Sequence, residues 1–127
     1  MNNLPKALLA IHNPRWEIVS KRMLTKYEIF TAQNIGEMKK IMDISPEGFP
    51  NNFFSLYMMD ANFGFPGKDT CAPAEEIFKS IKKDYENGKV KFLTITGNPD
   101  LVEKTNNKGI LCFNKSDSEK IFKYINS

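Results

Sequence analysis

Ser55-Leu-Tyr-Met-Met-Asp-Ala-Asn-Phe-Gly-Phe-Pro-Gly67 begins as an apolar run of the kind that fills a buried strand, and it stops on a carboxylate, Asp60. The residues beyond the acid include Asn62, Gly64, Pro66 and Gly67, all turn formers, so the chain leaves a sheet just past Asp60. That places the carboxylate at the mouth of a strand. On either side, strand-like and helix-like stretches alternate. Upstream, Ala7-Leu-Leu-Ala-Ile11 reads as a strand, and Asn13-Pro14 opens a helix over 15–24, with Asn as cap and Pro in the first turn. A strand over 27–31 follows, then a helix over 34–44 with Ile35, Met38, Ile41 and Met42 on one stripe. A loop over 45–52 leads into the strand at 53–59.

Downstream, Ile77, Phe78, Ile81 and Tyr85 share one face of a helix over 73–87, and Gly88 is its stop. A fourth strand over 90–96 follows at once. Asn98-Pro99 repeats the capping device and opens a short helix ending near Gly109, before a fifth strand at 110–113. Ser116-Asp-Ser-Glu119 has the spacing of a capping box for a last helix carrying Ile121, Phe122 and Ile125. Five strands separated by helices predict an α/β fold, a parallel five-stranded sheet covered by helices on both faces. A flavodoxin-like (βα)5 three-layer sandwich, strand order 2-1-3-4-5, is the arrangement expected. The apolar runs at 7–11 and 92–95, the second interrupted only by Thr94, suit central strands, and the more alternating one at 27–31 suits an edge.

Composition limits what such a domain can do. At 127 residues and 41% hydrophobic, the chain suits one globular domain spanning 1–127. Its 18 basic and 15 acidic residues are interleaved, with a net charge of +3, so no basic block marks a nucleic-acid or membrane partner. Cys71 and Cys112 are the only cysteines, and neither stands at a metal-like spacing from His12, the only histidine. A reduced, cytoplasmic protein is the expectation. No run approaches the roughly 18 apolar residues of a membrane span, and the N-terminus lacks the pattern of a secretory signal.

In a sheet of this kind, ligands collect at the carboxyl ends of the strands. The first strand ends in His12-Asn13, the third in Asp60, the fourth in Thr96-Gly97 and the fifth in Asn114-Lys115. A carboxylate, a hydroxyl and an ammonium on neighbouring strands are the types needed to handle a phosphoryl group. Asp supplies a nucleophilic oxygen, and Thr and Lys bind the phosphoryl oxygens.

Over its whole length the sequence resembles the receiver domain of two-component response regulators. Asp60, Thr96 in Leu93-Thr-Ile-Thr-Gly-Asn98 and Lys115 in Leu111-Cys-Phe-Asn-Lys115 fall where that family has its phosphoacceptor, its hydroxyl and its lysine. The resemblance also implies a Mg²⁺ site in which Asp60 and the backbone carbonyl of Asn62 are ligands. Departures are equally specific. The family's paired acids at the end of the first strand are here His12 and Asn13, and Asn13 offers at best a neutral amide oxygen. The proline that usually follows the lysine is Ser116, and the position three before the lysine, often an aromatic switch residue, is Cys112. The usual pocket has three carboxylates against one lysine, an excess that a divalent ion cancels. Here Asp60 and Lys115 already cancel, so Mg²⁺ is expected to bind weakly or not at all.

What the resemblance implies is a stand-alone response regulator, not an enzyme beyond assisting its own phosphorylation and dephosphorylation. Asp60 accepts a phosphoryl group from a histidine kinase or phosphotransfer protein, and output passes to a separate downstream effector protein. The alternative is a degenerate receiver that acts as a phosphorylation-independent interaction module. A phosphate-ester hydrolase is disfavoured, because no second acid stands beside Asp60. Two sequence features carry rival readings. Trp16 reads as packing rather than as part of a cofactor site, and Phe63 and Phe65 are either exposed for a partner or folded back over the pocket.

Overall fold

Because each strand is followed by a helix, the chain returns to the same edge of the sheet before the next strand begins, and successive strands pair in parallel. The computed structural model describes residues 4–42 and 53–127; the loop expected at 45–52 and the helical residues expected at 43 and 44 lie outside the described residues. Its elements run β1 (Lys6–Ala10), α1 (Pro14–Met23), β2 (Glu28–Thr31), α2 (Ile35–Met42), β3 (Leu56–Asp60), α3 (Ala72–Glu86), β4 (Lys91–Thr96), α4 (Pro99–Asn107), β5 (Cys112–Asn114) and α5 (Ser118–Ile125). These strands form one parallel sheet in the order β2-β1-β3-β4-β5, the expected flavodoxin-like arrangement.

Alternate residues of each strand feed opposite faces. On one face Leu8, Tyr57, Met59 and Phe92 pack with Met38 of α2 and Ile77 of α3. On the other, Leu9, Met58, Leu93 and Ile95 pack with Met23 of α1 and Ile121 of α5. A smaller cluster joins Ala61, Cys71 and Cys112 to Leu101 of α4. Both cysteines are reduced and buried, and burial pushes both thiols up. No helix among the described residues is long and apolar enough to cross a membrane.

Most element ends fall within a residue or two of the expectation, and three departures each have a hydrogen-bonding reason. β3 starts at Leu56 rather than at Phe53. Ser55 makes the first cross-strand bonds, donating to Lys6 O and accepting from Lys91 N at 2.8 Å each, while Phe53 and Phe54 stack edge-on against Phe30. β5 starts at Cys112 rather than at Ile110, whose N–H turns back to Thr105 O at the end of α4. The expected capping box at Ser116 does not form. Asn114 Oδ1 accepts both the N–H and the hydroxyl of Ser116 at 2.9 Å, and Asp117 becomes the N-cap residue of α5 without a side-chain capping bond. Asn13 and Asn98 do cap α1 and α4, accepting from Arg15 N and Asp100 N. Gly88 and Gly109, at φ +72° and +81°, end α3 and α4.

Candidate functional site

Strand register brings the chemistry-bearing residues to one edge. Asp60, the last residue of β3, lies beside Ile95 of β4, and Thr96 lies beside Asn114 of β5. Lys115 follows β5 and donates its N–H to Thr96 O at 2.9 Å. Asp60 itself is only 1% exposed. Its two oxygens are treated differently. Oδ2 accepts the backbone N–H of His12 at 2.6 Å and faces His12 Nδ1 at 3.1 Å. Oδ1 has the Lys115 ammonium at 3.2 Å, the distance of an ion pair, but no hydrogen bond of ordinary geometry.

His12 is the residue whose part the sequence understates. Its Nε2 accepts the N–H of Gly64 at 2.6 Å, which leaves the ring proton on Nδ1, the nitrogen 3.1 Å from Asp60 Oδ2. Stacking on Phe63, 5.2 Å between ring centroids and 22° between planes, holds the ring in that orientation. Phe63 is thus folded back and buried, whereas Phe65 is exposed. Gly64 sits at φ +93°, a conformation glycine adopts without penalty, and this turns its N–H towards the imidazole. Spacing alone offers little warning of this contact, since His12 and Gly64 are 52 residues apart.

Above Asp60 the strand ends enclose a depression of about 340 Å³ lined by His12, Asn13, Asn62, Lys68, Thr96 and Lys115. Thr96 Oγ1 accepts from Asn98 N at 3.2 Å, so its own hydrogen is the part it can offer. The Lys115 ammonium also lies 5.9 Å from the ring centroid of Trp16, which packs against the α1 and α5 side of the core. Every sequence-derived candidate therefore borders this depression or, like Asp60, lies beneath it.

The residues present do not fit the Mg²⁺ site that the resemblance implies. Asn13 Oδ1 is occupied as the cap of α1, the Asn62 carbonyl accepts Phe65 N–H at 2.8 Å, and Asp60 Oδ2 is taken by His12. The Asn62 side chain is turned to Lys68 O at 3.0 Å. A hard divalent cation wants several anionic or carbonyl oxygens, and of those named here only Asp60 Oδ1, itself beside the Lys115 ammonium, is not already hydrogen-bonded within the protein. Among the described residues no group of three or more His, Cys, Asp and Glu side chains is placed to hold a metal ion.

The chain is similar in structure to an adenylate cyclase from Rhodopirellula baltica, with a TM-score of 0.61 over 96% of this chain and 87% of that one, at 18% sequence identity. That likeness shows the fold alone. No protein-family model matches the sequence, and no curated protein matches it either. A parallel five-stranded α/β fold of flavodoxin-like arrangement is what the chain has, and any finer assignment rests on the site.

Proposed function

We propose that the chain is a receiver-type module of phosphorelay signalling, in which Asp60 is the phosphoacceptor and output is by contact with a separate effector protein. The observation that carries this reading is the convergence of Asp60, Thr96 and Lys115 on one depression at the carboxyl edge of the sheet. Lys115 is placed to neutralise charge on an incoming phosphoryl group, and the Thr96 hydroxyl to donate to one of its oxygens. A histidine kinase or phosphotransfer protein is the donor in this reading. Asp60 Oδ1 is buried 3.2 Å from the Lys115 ammonium, so this reading requires the long Lys115 side chain, 22% exposed, to move aside for the donor.

The near-complete burial of Asp60 favours a second reading, a receiver fold that works as an interaction module with the Asp60–Lys115 pair purely structural. Intact mass after incubation with acetyl phosphate separates the two. The first reading expects a gain of one phosphoryl group that vanishes in Asp60→Asn. No gain with any small donor or with a phosphohistidine protein, with or without Mg²⁺, leaves the second.

A further inference from the structure

We propose that His12 stands in this chain where a divalent cation would otherwise act, clamping Asp60 Oδ2 so that Oδ1 is the oxygen that attacks phosphorus without metal. The inference rests on the phosphoacceptor reading and adds to it a positioning residue and a nucleophilic atom. A carboxylate that is to react needs one oxygen held and the other available. At Asp60 the backbone N–H of His12 donates to Oδ2 at 2.6 Å, and the imidazole Nδ1 lies 3.1 Å from the same oxygen. Oδ1 is buried, has no hydrogen-bond partner among the described residues, and lies 3.2 Å from the ammonium of Lys115, the side chain that would have to move to admit a phosphoryl group. The clamp is itself fixed from behind. Gly64 N–H donates to Nε2 and so sets the tautomer, and Phe63 stacks on the ring. A neutral imidazole in this tautomer adds a hydrogen-bond donor without adding charge, which suits a pocket where Asp60 and Lys115 already cancel.

With an acyl phosphate as donor the step balances without a proton. Oδ1 forms a bond to phosphorus, the donor's phosphorus–oxygen bond breaks, and its electron pair leaves with the carboxylate of the donor. The product is an aspartyl phosphate, itself an acyl phosphate, so one such bond replaces another. Lys115 then sits beside the new phosphoryl oxygens, and Oδ2 becomes the carbonyl oxygen that still accepts from His12.

Two measurements test this. The first uses the fact that His12 is the sole histidine, so long-range proton–nitrogen correlation in the intact protein shows a single imidazole. The Nδ1–H tautomer is expected, and an Nε2–H ring overturns the proposal. The second follows modification by acetyl phosphate with chelator present. Wild type is expected to react at the same rate with chelator as with Mg²⁺, His12→Ala to react about 10- to 100-fold more slowly, as for a misplaced reacting group, and His12→Asn, whose amide nitrogen can replace Nδ1, to recover most of the loss. Circular dichroism checks that the variants stay folded. A wild-type rate that needs Mg²⁺, or a His12→Ala rate equal to wild type, overturns the clamp while leaving Asp60 as acceptor. A wild-type protein that gains no mass under any condition overturns the phosphoacceptor reading and the clamp with it.

Discussion

At Asp60 a carboxylate is buried at the end of the central strand and answered by one ammonium, the backbone N–H of His12 and, 3.1 Å away, the His12 ring. Removing the ammonium leaves a buried charge held only by His12, which in comparable sites costs about 3–5 kcal/mol. Lys115→Met is therefore expected to lower the unfolding free energy by that amount, and Asp60→Asn in the same chain to restore more than half of it, because the amide oxygen still accepts from His12. Urea unfolding of the two single variants and the double variant measures the cycle. A Lys115→Met cost below about 1 kcal/mol, the range of exposed pairs, shows instead that Lys115 is not coupled to the buried acid. The Asp60–Lys115 contact was legible in the sequence, because the strand ends and the missing acids together leave the lysine no other carboxylate. The part of His12 was not, since it depends on the path of the 61–67 loop and on one backbone N–H in it.

At the scale of elements, the legible features were those encoded locally. Asn-Pro pairs mark the starts of α1 and α4, glycines mark the ends of α3 and α4, and apolar stripes mark the buried faces. What escaped were contests between partners brought together by folding. Ser116 has the right spacing for a capping box, but Asn114 Oδ1 takes both its donors first. The same kind of long-range side-chain bonding finishes the sheet. β5 is an edge strand of three residues, and Asn106 from α4 closes it, accepting from Cys112 N at 2.9 Å and donating to Cys112 O at 3.2 Å. An amide thus takes the place of the strand that would otherwise pair there. Asn106→Ala removes both bonds and is expected to cost about 1–3 kcal/mol, with hydrogen exchange at the Cys112 amide rising more than exchange in β1. Equal exchange changes in β1 and β5 contradict the local role given to Asn106.

For the whole molecule, parallel order was readable because apolar runs without alternation have to be covered on both sides, as β1, β3 and β4 are. That double covering also sets how the fold meets alkaline pH. Tyr57 lies in the central strand against Phe54 and Phe92, and burial, reinforced by the negative charge of Asp84, pushes its phenol far above the ordinary value. Burial pushes Tyr124 up to about 12, and Tyr27, whose hydroxyl donates to Ile125 O, is also raised by burial. In each case the folded chain keeps a proton that the unfolded chain releases near pH 10. The unfolded state then binds fewer protons than the native state, and stability falls with rising pH. The contribution of these phenols is thus complete below about pH 10 and is lost as pH climbs through the raised values. Urea midpoints measured at intervals from about pH 9 to about pH 11.5 are expected to drop steepest above pH 10, with phenolate absorbance appearing together with unfolding. Tyr57→Phe removes the most strongly shifted group and should make the drop shallower. A slope unchanged by that substitution, or phenolate absorbance that appears while the chain is still folded, means that the buried phenols do not govern the alkaline limit.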